Sequence, residues 1–241
     1  MSIAAMFALV AVGIIGWWLF ARQLTAKPWE MTQSRSDNEY GGAALTLAPA
    51  KVGLWLLLAV ITSFFGLLIS AYGMRMAMAD WRPLAVPNLL WLNTAMLIAS
   101  SVAFQRTRRA AARGSSDGVK AGLLASGLFA LAFLVGQLLA WQQLTASGQL
   151  PAGNAANAFF YLLTALHGLH VLGGLAVWGK TTAKAWGGAF KPKDLRMSIE
   201  LCAVYWHFLL VAWLVLFGLL WSGPSVANAW RDICSAIGNG L

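Results

Sequence analysis

AFFYLLTALHGLHVLGGLAVWG, residues 158–179, contains no charged side chain and decides the fold class of this chain. A helix needs about 20 predominantly apolar residues to cross the hydrocarbon core of a bilayer, and this stretch is long enough. Five further stretches meet the same condition: residues 3–20, 52–74, 84–105, 121–144 and 197–221. We therefore predict an all-α integral membrane protein with six transmembrane helices.

The composition excludes a soluble protein. Of 241 residues, 59% are hydrophobic and 10% charged, whereas a soluble domain has about 25% charged residues. The net charge of +9 does not indicate nucleic-acid binding, because the basic residues lie in gaps between apolar stretches. Cys202 and Cys234 have no paired spacing, so we expect neither a disulfide framework nor a thiolate metal site.

The basic residues predict the orientation of the bundle, because positive charge is retained in the cytoplasm. Three alternate gaps hold 14 of the 17 basic residues: Arg22, Lys27, Arg35, Lys51, Arg106, Arg108, Arg109, Arg113, Lys120, Lys180, Lys184, Lys191, Lys193 and Arg196. Arg75, Arg82 and Arg231 lie on the other side. We expect a multi-pass protein of a bacterial-type inner (plasma) membrane, with both termini outside the cytoplasm.

A few ionisable side chains lie within the apolar stretches, where burial in lipid is costly. His167 and His170 are three residues apart, so they lie on one face of their helix. Glu200 and His207 are seven apart and lie two turns from each other on the last helix. Counted from the predicted helix ends, His170 and His207 both lie about 14–15 Å from the cytoplasmic side.

Three interpretations of these residues remain open on spacing alone. His170 and His207, at matched depth, are suitable axial ligands for a b-type haem in a membrane anchor. The three histidines with Glu200 are a candidate metal site, although one carboxylate gives little support to a catalytic metal. Alternatively, these groups hydrogen-bond each other and the backbone, and so fix helix packing. A small transporter or channel is a further hypothesis, resting only on the intramembrane ionisable groups.

Four blocks of sequence, in order, resemble subunit III of the haem–copper oxidases (cytochrome c or quinol oxidase subunit 3). The blocks are GLW with FFG (53–55 and 64–66), WLNT with Ser100-Ser101 (91–94), LHGLHVLGG (166–174), and ELCAVYWHF (200–208) followed by Trp213. The resemblance implies a five-helix core at residues 51–222. An N-terminal transmembrane helix and polar cytoplasmic link occupy 1–50, and a short external tail occupies 223–241.

The resemblance also implies a function. Such a chain is a non-catalytic subunit that stabilises catalytic subunit I, beside subunit II, in aerobic electron transport coupled to proton pumping. Haem and copper are then expected in the partner subunits, with no cofactor or metal in this chain and with bound phospholipid. By carry-over, His167, His170, Glu200, Trp206 and His207 form a structural polar network. Lys180 and Lys184 become candidates for contact with lipid headgroups, as point charges.

Two positions depart from the family pattern. Many relatives carry a glutamate where this chain has Ile61, and an aspartate where it has Leu210. Any role of those carboxylates is therefore absent here. The electron donor is open between cytochrome c and quinol, and partnership with a nitric-oxide reductase is an alternative.

Overall fold

The structure, a computed structural model, describes residues 49–238 except 77, 79, 83, 85 and 188–191, with side chains to Ser222. Within those residues it contains no strand and five α-helices: α1 (Pro49–Met76), α2 (Leu89–Ala112), α3 (Ser116–Ala146), α4 (Ala155–Gly187) and α5 (Pro192–Gly238). The predicted helix at 3–20 lies outside the described residues. The chain divides into two compact units, Met1–Val52 and Gly53–Leu241, and the contacts below lie within the second.

Four of the described helices are long and apolar enough to cross a membrane. They contain the spans Ala50–Met76, Ser116–Ala146, Ala155–Gly187 and Asp194–Ser222. Helix α2 is not among them, because polar side chains occupy one of its faces and arginines its last turns. The described structure therefore gives a multi-pass helical membrane protein, while the predicted count of six transmembrane helices stays a prediction.

The helices begin and end at residues that differ from the predicted segments. Helix α2 begins at Leu89 and not at residue 84, because proline disfavours helical backbone at the residue before it and Pro87 precedes the first turn. Helix α3 begins earlier than predicted, at Ser116, where Ser115 Oγ accepts a hydrogen bond from Gly118 N at 3.3 Å. Helix α5 continues to Gly238, through residues predicted to form the external tail.

One end of the bundle, the basic end, contains the turn between α2 and α3, the end of α4 and the start of α5. Gly114 makes the turn in left-handed backbone, φ 73°, which favours glycine. Arg106, Arg108, Arg109 and Arg113 are exposed at this end. The described basic residues of this end are Arg106, Arg108, Arg109, Arg113, Lys120, Lys180, Lys184 and Arg196.

The interior consists of two clusters of buried side chains. Phe133, Phe160 and Trp213 belong to the larger cluster, which also contains Ile61, one of the two positions that depart from the family pattern. The smaller cluster lies toward the basic end and comprises Phe104, Ala110, Val119, Leu123, Ala130, Ile199, Cys202, Ala203 and Trp206. The Cys202 thiol is buried and forms no disulfide among the described residues; the Cys234 side chain lies outside them.

Helix α1 meets α4 through aromatic side chains. Phe65 lies 5.5 Å from the His170 ring, and Tyr72 lies 5.5 Å from Phe159 at the other end of the contact. Only 17% of the apolar window of α1 is buried, so most of its side chains face outward. For a helix in lipid such an apolar outer surface needs no partner, because acyl chains solvate it.

Arg75, in the last turn of α1, makes a two-pronged ion pair with Asp80 beyond the helix end, with both N–O distances at 2.5 Å. The guanidinium holds the pKa of the Asp80 carboxyl below its ordinary value through hydrogen bonding and charge. Because the pair is solvent-exposed, it contributes little to stability.

Candidate functional site

Helix α2 carries a row of buried polar side chains, which we call the α2 seam. Its members are Asn93, Thr94, Ser100, Ser101 and Thr107, all 5% exposed or less. They repeat every seven residues (93, 100 and 107; 94 and 101), which is about two helical turns, so they share one face of the helix. In an apolar surrounding each polar group needs a hydrogen-bond partner. Four of the five residues have partners on α3 or α5, and the Thr107 hydroxyl donates to Ala103 O of α2 itself.

Three aromatic or imidazole rings of α5 bind the seam. Trp213 Nε1 donates to Thr94 Oγ1 at 2.9 Å, and Trp206 Nε1 donates to Ser100 Oγ at 2.8 Å. Residue numbers rise along α2 as they fall along α5, so the two helices are antiparallel in register. Trp206 and Trp213 are fully buried, and their indole N–H groups are satisfied only by this register.

His207 of α5 bridges one residue of the seam and a further side chain of α2. Its Nδ1 hydrogen-bonds Ser101 Oγ at 2.5 Å, and its Nε2 hydrogen-bonds Gln105 Oε1 at 3.3 Å. A neutral ring fits this arrangement, with Nε2–H donating to the amide oxygen and Nδ1 accepting from the hydroxyl. Both ring nitrogens are therefore engaged with α2.

Helix α3 approaches the seam closely because it presents glycine there. A Cβ added at Gly136 would lie 2.9 Å from Asn93 Cγ, and one added at Gly122 would lie 3.1 Å from Thr107 Cβ. Asn93 Nδ2 donates to Gln137 Oε1 at 3.3 Å. Small residues that permit close backbone approach are the usual means of helix association in lipid.

The two histidines of α4 have different neighbours, although they are three residues apart. His167 is fully buried, with ring centroids 5.7 Å from Phe133 and 5.1 Å from Trp213. Neither of its ring nitrogens has a hydrogen-bond partner among the described residues. His170 faces Phe65 of α1, and its Nδ1 donates to Leu166 O at 2.7 Å.

Helices α4 and α5 also make direct contacts. Tyr205 Oη donates to His170 O at 3.0 Å. A Cβ added at Gly174 would lie 2.8 Å from Trp206 Cζ3 and 2.9 Å from Tyr205 Cε1. Gly174 therefore provides the space in which both aromatic rings of α5 pack.

The remaining predicted residues lie toward the basic end. Glu200 lines a cavity of about 300 Å³ with Arg108, Arg109, Ala112 and Arg196. Lys184 Nζ donates to Ser198 Oγ at 3.3 Å, whereas Lys180 is exposed.

An open groove of about 480 Å³ lies between α2 and α5. Its lining is Ile98, Ser101, Val102, Gln105, Arg106, Arg109, His207 and Leu210. The second departure from the family pattern, Leu210, thus adds an apolar side chain to this groove beside His207.

The five residues predicted as one network are therefore distributed over separate contacts. Trp206 and His207 bind the α2 seam, His167 lies in the main core, and His170 faces α1. The hydrogen bonds described above join none of these four side chains to another of the four. Among the residues that the structure describes, no three His, Cys, Asp or Glu side chains gather as metal ligands do.

The seam residues themselves were not singled out as chemistry from the sequence. Asn93, Thr94, Ser100 and Ser101 entered there only as parts of motif blocks, and Gln105 and Gln137 did not enter at all. The available signal was the seven-residue, two-turn repeat of polar side chains within an otherwise apolar stretch. That spacing marks the face of a membrane helix that packs against other helices.

Comparison with known proteins identifies the family. A family model described as cytochrome c oxidase subunit III matches residues 38–223. The probable cytochrome c oxidase subunit 3 of Mycobacterium tuberculosis is 34% identical over 128 residues, 53% of this chain and 63% of that protein. The corresponding protein of Mycobacterium leprae is 33% identical over 162 residues, 66% of this chain and 80% of that protein.

A cyanobacterial relative extends the comparison. Cytochrome c oxidase subunit 3 of Synechocystis is 28% identical over 165 residues, 66% of this chain and 68% of that protein. This chain spans somewhat less than two thirds of the length of the Mycobacterium tuberculosis relative.

Proposed function

The chain belongs to the cytochrome c oxidase subunit III family, and on that premise we propose that it is the non-catalytic third subunit of a haem–copper terminal oxidase. In this role it stabilises catalytic subunit I, beside subunit II, in aerobic electron transport coupled to proton pumping. The chain itself carries no redox centre, and cytochrome c is the electron donor that the relatives' names suggest.

One observation carries the proposal: three residues of the α5 motif hold α5 to α2. Trp206, His207 and Trp213 each hydrogen-bond a side chain of the α2 seam. A site of catalysis or electron transfer leaves such groups directed at a substrate or cofactor. Here they fix helix register instead, which is the property required of a rigid accessory subunit.

The same geometry argues against a haem-binding anchor. A haem ligand offers a ring-nitrogen lone pair to the iron. In the neutral His207 ring the Nδ1 lone pair accepts from Ser101, and Nε2 donates to Gln105. Without His207, the pairing with His170 that motivated the anchor hypothesis lacks one of its two ligands.

The proposal includes a topology. Six helices cross a bacterial-type inner membrane, with both termini outside and the basic end in the cytoplasm, where positive charge is retained. Lys180 and Lys184 contact lipid phosphate at that surface. The outward apolar side chains of the bundle face lipid or subunit I.

The experiment is to tag the chain, purify it in mild detergent, and record a reduced-minus-oxidised spectrum with mass spectrometry of co-purifying proteins. We expect haem bands to arrive with a large polytopic chain of the oxidase. A stoichiometric haem band that stays with this chain after its partners are stripped would contradict the proposal, as would a colourless chain without partners.

The variant His207→Leu tests the structural role of the motif. It strands the Ser101 hydroxyl and the Gln105 amide, each at a cost of about 1–3 kcal/mol where they are buried. We expect less of this chain in the purified oxidase, with unchanged initial turnover per haem. His207→Asn, which retains a polar partner for Ser101, serves as the matched control. A variant that retains its subunit normally but is inactive from the first turnover would overturn the assignment.

A further inference from the structure

The groove between α2 and α5 is strongly basic in the part nearest the basic end of the bundle. Arg106 and Arg109 line it, three residues apart on one face of α2. Arg109 also lines the adjoining cavity, together with Arg108, Arg196 and the single carboxylate of Glu200. Arg109 thus lines both spaces, and four guanidinium groups line the two together against one carboxylate.

The part of the same groove farther from the basic end is apolar. Val102 lies one turn and Ile98 two turns further from the basic end than Arg106, and Leu210 lines the groove from α5. From Arg109 to Ile98 the helix rises about 16 Å, and half of a hydrocarbon core is about 15 Å. The groove thus spans the depth of one leaflet, with charge at the surface and apolar side chains toward the midplane.

We propose that this groove binds one anionic phospholipid. Its phosphate lies between Arg106 and Arg109, and one acyl chain lies along Ile98, Val102 and Leu210. Guanidinium groups bind phosphate oxygens through paired, charge-assisted hydrogen bonds. The excess of positive charge favours a lipid with net negative charge over a zwitterionic one. This site is separate from Lys180 and Lys184, and it requires only that the chain spans a membrane.

A membrane-inserted protein segment is the alternative occupant, and the charges disfavour it. Such a segment would have to place several acidic side chains against the arginines within the headgroup layer. A phospholipid supplies phosphate and hydrocarbon in one molecule, at the spacing that the groove presents. Gln105, one turn before Arg109, lies at the depth of the glycerol esters.

The test uses the full chain with any bound partners, reconstituted in nanodiscs of phosphatidylcholine with added phosphatidylglycerol as the probe. Retained lipid is measured by native mass spectrometry. We expect one phosphatidylglycerol to be retained in preference to phosphatidylcholine. The double variant Arg106→Gln/Arg109→Gln should bind it about ten-fold or more weakly, because two charge-assisted contacts are lost.

Two further variants make the result specific. Val102→Trp fills the apolar part without changing charge, and it should also release the lipid. Arg113→Gln removes an exposed basic side chain at the same end that lines neither space, and it should bind like the parent chain.

Three results would each overturn the proposal. One is binding by the double arginine variant within two-fold of the parent, at matched helicity and monodispersity. The second is equal retention of phosphatidylcholine and phosphatidylglycerol. The third is loss of a co-purifying protein from Val102→Trp with the lipid content unchanged, which would assign the groove to a protein segment.

Discussion

Replacement of Gly127 by alanine tests how tightly α3 and α4 are packed. A Cβ at position 127 would lie 2.6 Å from Trp178 Cε2. The indole cannot recede without loss, because its Nε1 donates to Leu123 O at 2.9 Å, one turn earlier on the same helix as the glycine. The added methyl group therefore opposes both the packing and the hydrogen bond of Trp178.

The expected magnitude follows from three contributions. Overpacking costs about 1–3 kcal/mol, and an indole N–H left without its acceptor costs a further 1–3 kcal/mol or so. Alanine returns about 1 kcal/mol through its higher helix propensity. Gly127→Ala should therefore lower the free energy of unfolding by about 3 kcal/mol.

The assay is unfolding of the full chain in mixed detergent micelles by titration with sodium dodecyl sulfate, followed by far-ultraviolet circular dichroism. Gly173→Ala is the matched control, because a Cβ there meets no atom within 4 Å. We expect the control to be neutral or slightly more stable. If Gly127→Ala unfolds at the same detergent fraction as Gly173→Ala, the close contact with Trp178 is refuted.

Three further outcomes are expected. Ser100→Ala should cost about 1–3 kcal/mol in the same titration, because it leaves the buried Trp206 N–H without an acceptor; an unchanged midpoint would contradict the bond. His167→Phe should stay within about 1 kcal/mol of the parent, since no hydrogen bond of that ring is lost; a large loss of stability would reveal a polar partner. The Asp80 pKa is lowered by Arg75, so any stabilisation is present above the unfolded pKa of about 3.9 and is lost as pH falls through the lower folded value. Midpoints of the parent and Asp80→Asn should therefore run parallel between about pH 5 and 8 and converge only at lower pH.

Much of the helical part of the fold followed from the apolar stretches. Segment length is set by bilayer thickness, so the stretches at 121–144 and 158–179 lie inside α3 and α4 as described. The ends were less predictable, since a helix continues into the headgroup layer as long as its backbone bonds are satisfied. Pro87 was the one local sequence feature that accounts for a shifted helix end, because it explains why α2 starts later than predicted.

For most of the chain, the sequence did not predict which face of each helix packs against which neighbour. In lipid both the buried and the outward faces are apolar, so the periodic contrast that marks a soluble helix is weak. His167 and His170 illustrate the consequence: their spacing gave a shared face, but one contacts Phe133 and Trp213 while the other contacts Phe65.

The sequence by itself determined that this protein resides in lipid and that it is helical. It also contains the motif residues that relate the protein to its family. Tertiary structure alone decided that Trp206, His207 and Trp213 bind α2, and that Arg106 and Arg109 lie above an apolar groove. The physical reason is that a hydrogen bond between distant helices depends on their register and separation. The close approach of helix backbones at glycine sets that separation. The spacing of residues along a single helix does not predict it.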